Sequence, residues 1–218
     1  MNAHRDLAVF SPRSDWEIAG SVYPAGSLVV GDLDAFLRGG EPELTMLFEP
    51  TESSSLAGLT ITRSTLVLTI LEDVVDRLEV HHRASDGRWI REDLYPPELE
   101  GSIGVRAVDA DESDEVWVTV TGFVEPTRLM LGGPRGDPGG RRRRPAGEHQ
   151  ERPPSRFDSE GLEVSQHFAS SDDGTRIPPY FEIGRRDREE GDEPSPPTLL
   201  YGYGGFEISL TPPSYLGA

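Results

Sequence analysis

The sequence predicts a mostly β protein, and three observations support this prediction. Short apolar segments recur at near-regular intervals between residues 27 and 120, and several are rich in the β-branched residues that favour strands. Polar turn sequences separate them, including Asp86-Gly87, a strong signal for a β-hairpin. No apolar run approaches the length of a membrane-spanning helix. Such a pattern is typical of a sandwich, a barrel or a propeller, and periodicity does not choose among these.

The elements of the first part of the chain follow in order. Residues 1–20 give no clear element, although Asp15–Ile18 could form part of a strand. Asp32–Leu37 predicts a turn of helix that Gly39 and Gly40 end. Strands are predicted at Ser27–Val30, Leu44–Phe48, Leu59–Thr62, Thr65–Ile70, Val74–His82, Arg88–Arg91, Ile103–Val108 and Glu115–Val120. In the strand Val74–His82, Leu78 and Val80 lie on one face and Glu79 and His81 on the other.

Residues 132–155 differ in composition from what precedes them. Gly, Pro and charged residues dominate, and no apolar period remains, which predicts a linker. The run Arg141–Arg144 could be a phosphate or nucleic-acid patch, but in so acidic a chain a solvated charge run is favoured.

The last part of the chain predicts three more strands. Leu162–Phe168 alternates as a strand, the turn 171–175 follows, and Ile177–Ile183 returns with two prolines that mark an edge strand. After a charged loop, Thr198–Tyr201 is predicted as the third strand. Glycines separated by aromatics come next, and such glycines permit a positive φ and close approach of other groups. The spacing fits a ligand site at a strand end, or a tight turn whose tyrosines pack the rim.

Composition excludes several classes of function. The net charge of −18 and the pI of about 4.6 argue against nucleic-acid binding. The sequence has no cysteine, so a disulfide, a thiolate nucleophile and a cysteine-ligated metal are excluded. His81, His82 and Asp86 could be imagined as a metal site, but adjacent strand residues point to opposite faces, which favours a polar pair near a turn. No metal or other cofactor is expected.

Four stretches carry a family resemblance. TLLYGYGGFEISLTPPSY (198–215) resembles the segment that opens the catalytic domain of prolyl oligopeptidase-type serine peptidases, and ASSDDGTRIPPYFEI (169–183) resembles the hairpin before it. YPAGSLVVGDLDAFLRGG (23–40) and RSTLVLTILEDVVDRLEV (63–80) resemble pieces of the propeller of that family. The resemblance covers roughly residues 20–130 and 156–216.

The resemblance implies a domain plan. Residues 1–131 would form a partial β-propeller of the last two or three blades, 132–155 a linker, and 156–218 the first strands of an α/β-hydrolase domain. Because a partial ring would leave apolar blade faces bare, the isolated chain is expected to aggregate readily.

The resemblance also implies two site residues. The hydroxyl of Tyr203 would donate to the oxyanion of the tetrahedral intermediate, and Phe206 would line the pocket for the proline ring of the substrate. The alternatives are a tyrosine that hydrogen-bonds within the sheet end and a phenylalanine that packs in the core. The sequence contains no Gly-x-Ser-x-Gly nucleophile elbow, and in the family the catalytic histidine follows that serine. The catalytic Ser, Asp and His are therefore expected to be absent from this chain.

These points predict a fragment of a serine-type endopeptidase that cleaves short peptides on the carboxyl side of proline, and the chain alone is expected to be inactive. Its partners would be proline-containing peptides and the missing remainder of the propeller and catalytic domain, with no nucleic acid and no membrane. No basic-then-apolar signal pattern begins the chain, so a cytoplasmic location is expected. Two alternatives stay open: a relative of acylaminoacyl-peptidases and esterases, and a non-catalytic propeller that binds a partner.

Overall fold

The computed structural model describes residues 2–39, 43–93, 101–133, 149–151, 158–185 and 198–202. These residues form almost only strands, with one short helix in the described part, α1 (Leu33–Leu37). The strands are β1 (Asn2–His4), β2 (Leu7–Phe10), β3 (Trp16–Ile18), β4 (Ser21–Tyr23), β5 (Leu28–Asp32), β6 (Leu44–Phe48), β7 (Ser54–Ile61), β8 (Thr65–Glu72), β9 (Val75–Arg83), β10 (Trp89–Asp93), β11 (Ser102–Ala107), β12 (Val116–Thr121), β13 (Arg128–Gly132), β14 (His149–Glu151), β15 (Leu162–Ser170) and β16 (Arg176–Arg185). No helix in the described residues is both long and apolar enough to cross a membrane.

The strands assemble into three four-stranded antiparallel sheets and two hairpins. The first sheet has the order β1-β2-β5-β6, the second β10-β9-β8-β7 and the third β11-β12-β13-β14. The hairpin β3–β4 is inserted within the first sheet, and β15–β16 follows the third. Successive four-stranded antiparallel sheets are the units of a propeller, so the predicted partial propeller of two or three blades is confirmed, with three blades described.

The second sheet is buried on both faces by its neighbours. The core between the first and second sheets consists of Val9, Leu28, Val30, Phe48, Leu66, Leu68 and Ile70. The core between the second and third sheets consists of Val67, Leu78, Val80, Ile103, Val116, Val118, Val120 and Met130. Alternate residues of β8 therefore point to opposite neighbours, which explains why this strand is an almost unbroken apolar run.

Aromatic side chains cover the outer face of the first sheet. Phe10 lies 5.2 Å from the ring of Trp16 and 4.8 Å from that of Phe36, and Trp16 also contacts Tyr23 at 5.8 Å. Phe36 comes from α1, which begins where the Asp32 carboxylate accepts a hydrogen bond of 2.7 Å from the amide of Ala35. The apolar face that a partial ring was expected to leave bare is thus covered, on this sheet, by the chain itself.

Buried polar bonds join the second sheet to the third at one end of the stack. Asp114, which is 4% exposed, accepts hydrogen bonds of 2.7 Å from the Thr62 hydroxyl and of 2.6 and 2.7 Å from the amide and hydroxyl of Ser64. Elsewhere the Asp76 carboxylate accepts a bond of 2.7 Å from the amide of Ile103. Burial raises the pKa of Asp76, and this amide offsets part of the rise. These carboxylates fix the position of the two sheets along their common face.

The turn between β8 and β9 is strained. Glu72 pairs with Val75, so Asp73 and Val74 form a two-residue loop, and their φ values are 48° and 65°. Positive φ at both positions is the requirement of a type I′ turn, which Asn-Gly meets most easily. For a β-branched residue such as Val74 this conformation costs on the order of 1–3 kcal/mol.

The structure also contains strands that the sequence analysis did not predict. β1 and β2 lie in residues that gave no clear element, and β13 was not assigned. β14 falls within the segment 132–155 that was interpreted as a linker, and it pairs with β13 to complete the third sheet. Short strands of three to five residues carry too little periodicity to identify, because pairing with neighbours rather than pattern decides them.

The double-sided burial of β8 predicts a large cost for truncating it. Leu68 is fully buried, so Leu68→Ala should lower the free energy of unfolding by about 2–5 kcal/mol through lost contacts and the cavity left behind. Urea denaturation measures this, and Leu37→Ala is the control because Leu37 is 67% exposed. Equal effects of the two substitutions would contradict the described core.

The Asp114 bonds predict a second stability effect. Asp114→Ala leaves the Thr62 hydroxyl and the Ser64 amide without their acceptor, which should cost about 2–3 kcal/mol. Glu112→Ala, an exposed carboxylate of the same loop, should change the unfolding free energy by less than about 0.5 kcal/mol. Calorimetry measures the unfolding free energy of both variants. A larger loss in Asp114→Ala than in Glu112→Ala would show that the buried hydrogen bonds matter, and not the loss of a negative charge.

Candidate functional site

The candidate site is the region where hairpin β15–β16 lies against the ends of the second and third sheets. Gln166 of β15 donates a hydrogen bond of 2.6 Å to the carbonyl oxygen of Asp73 in the strained turn. Arg176 of β16 forms an ion pair of 3.1 Å with the Asp73 carboxylate. Phe181 of β16 packs on Phe123, with 5.2 Å between the ring centroids. The hairpin therefore contacts both sheets through polar and aromatic side chains.

A cavity of about 220 Å³ lies between the hairpin and the two sheets. Its lining residues come from Val75 of the second sheet, Gly101, Gly122, Phe123, Val124, Glu125 and Arg128 of the third, and Val164, Gln166 and Phe181 of the hairpin. The walls are mostly apolar, and the polar side chains are Gln166 and the Arg128–Glu125 ion pair at 3.5 Å. None of these described lining residues is a serine or a histidine, so the cavity offers a surface for binding and no nucleophile–base pair.

A larger groove of about 730 Å³ lies on the other side of the strained turn. Hydroxyl side chains of Thr51 and Ser53–Ser55 line one wall, and Thr175–Ile177 of the hairpin line the other. Thr51 and Ser54 bond to one another at 2.7 Å and help to close the turn before β7. The polar serine cluster of the sequence thus belongs to a turn and to the start of a strand.

The predicted site residues Tyr203 and Phe206 lie outside the described residues, so the assignments of oxyanion donor and of proline pocket stay predictions. The chain is described as far as Gly202.

The predicted third strand, Thr198–Tyr201, is wrong for this chain. Residues 198–202 form no strand, and Leu199, Leu200 and Tyr201 are 90%, 93% and 77% exposed. An extended segment becomes a strand when its amide and carbonyl groups pair with a neighbour, and no described strand pairs with this one.

The other two strands of this region are confirmed. β15 and β16 pair in antiparallel register around the turn 171–175, with Gln166 opposite Phe181. His167 lies on the face away from the propeller sheets, where it stacks on Tyr180 and its Nε2 is 3.2 Å from Glu182 Oε2. His167 is thus partly exposed and lies beside a carboxylate.

The histidine pair of the second sheet does not form a metal site. His81 is buried and its Nε2 lies 3.0 Å from Glu79 Oε2, whereas the next residue, His82, is half-buried. Asp86 instead bonds to Arg88 at 2.7 Å, and this bond holds the pKa of Asp86 below its usual value. In the described ranges, no group of three or more His, Cys, Asp or Glu side chains is arranged to hold a metal ion.

Sequence reasoning missed the ionic cluster around Glu79. Its carboxylate bonds to Arg77, to His81 and, at 2.8 Å, to Arg91 of β10, although the Glu79 side chain is only 3% exposed. Arg77 also pairs with Glu72 at 3.1 Å. The alternation of β9 placed Glu79 and His81 on one face, but nothing in the pattern showed that the first sheet covers this face.

The charges around Glu79 outweigh its burial. Desolvation alone would raise the pKa of Glu79, but hydrogen bonds from His81 and Arg77 and the charges of Arg77 and Arg91 together hold this pKa below the ordinary 4.5. The buried Glu79 carboxylate is therefore ionised near neutral pH.

Comparisons with known proteins agree with this architecture. The chain is 34% identical over 214 residues to the uncharacterized peptidase y4nA of Sinorhizobium fredii. The aligned region covers 96% of this chain and 27% of that protein. It is 27% identical over 144 residues to the prolyl endopeptidase of Elizabethkingia miricola, covering 66% of this chain and 18% of the enzyme. No protein-family model matches the chain.

Solved structures show the same fold. The structure of a post-proline cleaving enzyme from Rickettsia typhi superposes with a TM-score of 0.64 at 21% identity, covering 86% of this chain and 26% of that one. Oligopeptidase B from Trypanosoma brucei superposes with a TM-score of 0.60 at 17% identity, covering 97% and 29% of the two chains. The chain thus spans about a quarter of the length of the first curated relatives and solved structures that it matches.

The Glu79 cluster predicts a pH-dependent contribution to stability. Because the folded state lowers the pKa of Glu79, its contribution is present above the unfolded value of 4.5 and is lost as pH falls through the folded pKa. At about pH 7, Glu79→Gln should reduce the free energy of unfolding by about 1–3 kcal/mol. The difference between wild type and variant should shrink as the pH falls below 4.5.

Urea unfolding over this pH range measures the difference, with the exposed Glu17→Gln as control. A difference that does not change with pH would show that the Glu79 carboxylate is not stabilised by its neighbours.

Proposed function

Because the chain belongs to the prolyl oligopeptidase family of peptidases, we propose that it forms the propeller–hydrolase junction of a serine-type endopeptidase. The substrates proposed are short peptides, hydrolysed on the carboxyl side of proline. Residues 1–131 would belong to the propeller together with β14, the rest of 132–155 would connect the two regions, and 156–218 would open the catalytic domain.

The observation that carries this proposal is the docking of hairpin β15–β16 on the second and third sheets. The hairpin precedes the glycine-tyrosine motif at residues 201–205 in the chain, and its contacts hold the start of the proposed catalytic region against the second and third sheets. Prolyl endopeptidases and post-proline cleaving enzymes among the similar proteins support proline as the residue recognised.

In this proposal Tyr203 contributes one part of an acyl-transfer mechanism. When a serine attacks the peptide carbonyl, the oxygen becomes negative, and a phenol hydroxyl placed about 2.7–3.1 Å away stabilises it. The phenol is useful because it is aimed at the charge that develops in the transition state. Phe206 would pack against the proline ring of the substrate.

The attacking serine and its histidine and aspartate are proposed to come from outside this chain. The sequence has no Gly-x-Ser-x-Gly motif, and the histidine of the described hairpin pairs with Glu182. The isolated chain should therefore bind a substrate weakly, if at all, and should not turn it over.

A chimera tests the proposal in its family context. This chain replaces the matching 214-residue segment of the Sinorhizobium fredii peptidase, and parent and chimera are assayed on chromogenic peptides that end in proline or arginine and on N-acyl amino-acid esters. The proposal expects the chimera to prefer the proline peptide. Preference for arginine, preference for N-acyl esters, or an active parent with an inactive chimera would each contradict it.

Tyr203→Phe in the active chimera should lower kcat by about 100-fold, because one oxyanion donor is worth roughly 3 kcal/mol of barrier. Its KM should change little. Tyr201→Phe is the matched control from the same motif, since Tyr201 is 77% exposed in this structure. Unchanged kcat in Tyr203→Phe would remove Tyr203 from the mechanism.

A further inference from the structure

The turn Asp73-Val74 combines an unusual backbone conformation with contacts to the hairpin. It is the turn of the second sheet in which two adjacent non-glycine residues have positive φ, at 48° and 65°. It is also the part of that sheet that receives both polar contacts from hairpin β15–β16. An unfavourable backbone conformation persists where the surroundings impose it, and it concentrates at sites of function.

The contacts use both the backbone and the side chain of Asp73. Its carbonyl oxygen accepts from the Gln166 amide at 2.6 Å, and its carboxylate pairs with Arg176 at 3.1 Å. Gln166 and Arg176 come from the two different strands of the hairpin, so one residue of the propeller holds both strands. Because the carbonyl direction depends on the turn conformation, the αL backbone and the hydrogen bond to Gln166 are coupled.

The turn also lies between the cavity and the groove that flank hairpin β15–β16. Val75 and Gln166 line the cavity of about 220 Å³, whereas Asp73, Val74 and Arg176 line the groove of about 730 Å³. The hairpin has a second point of contact at Phe123 and Phe181.

We propose that the strained Asp73-Val74 turn is the docking element by which the propeller holds the catalytic-domain hairpin in place. The strain is retained because the type I′ conformation directs the Asp73 carbonyl and carboxylate to Gln166 and Arg176. This inference concerns the contact between the two regions and holds whatever the peptidase cleaves.

Hydrogen exchange of the full 218-residue chain tests it, with the amides of β15 and β16 as the readout and those of β8 as an internal measure of folding. Asp73→Asn and Arg176→Gln should each speed exchange across both hairpin strands by about two- to five-fold, the range of a partly exposed ion pair. β8 should stay protected. The double variant should be no worse than the stronger single one, because both remove the same pair.

Reversing both charges distinguishes loss of the ion pair from loss of the fold, because only loss of the ion pair can be restored in this way. The pair Asp73→Arg with Arg176→Asp should recover most of the hairpin protection that either single reversal loses. Val74→Gly is the control for the turn: glycine accepts positive φ, so the carbonyl keeps its direction and the hairpin should stay protected. Glu72→Gln is the control for charge, because Glu72 pairs with Arg77 within the second sheet.

Three outcomes would overturn the proposal. Hairpin exchange could be unchanged in Asp73→Asn, Arg176→Gln and Gln166→Ala. It could accelerate equally in Glu72→Gln, or the reversed pair could fail to recover protection while β8 stays folded.

Discussion

The architecture depends on the burial of the second sheet between the first and the third. Leu66, Leu68 and Ile70 fill one interface and Val67 the other, so β8 is buried on both faces from Thr65 to Ile70. Apolar area removed from water on both faces of one strand is the dominant stabilising term available to a chain with 35% hydrophobic residues. The order and spacing of the other sheets follow from what must cover this one.

Polar groups at the boundaries of these cores set how the sheets lie on one another. Asp114 and Asp76 accept backbone and hydroxyl hydrogens across the second interface, whereas the Glu79 cluster joins β8, β9 and β10 within the second sheet. Apolar packing is tolerant of small shifts, whereas a buried carboxylate without its donors is costly. The buried carboxylates therefore determine how the sheets are placed on one another, whereas apolar burial supplies most of the stability.

The functional region is built on this stack and does not belong to either part alone. The strained turn of the second sheet and Phe123 of the third meet side chains of a hairpin that comes about 90 residues later than the turn in sequence. In the proposed peptidase, such a contact would help to set the distance between the propeller and the catalytic domain. In the two proposals the docking turn holds hairpin β15–β16, and the chain continues from this hairpin to Tyr203.

The sequence by itself determined the β class, most strands between residues 27 and 120, the hairpin around 171–175 and the family, since each rests on local pattern, turn residues or motif. It did not reveal β1, β2, β4, β13 or β14, whose few residues become strands only through pairing. Nor did it reveal that Glu79 and His81 lie buried in an ionic cluster, or that Asp73 meets Gln166 and Arg176. Thr198–Tyr201 shows the reverse: its pattern predicted a strand, but with no described neighbour to pair with, it forms none. Contacts between residues far apart in the chain were decided by tertiary packing, because local pattern indicates which face is polar and not what will cover it.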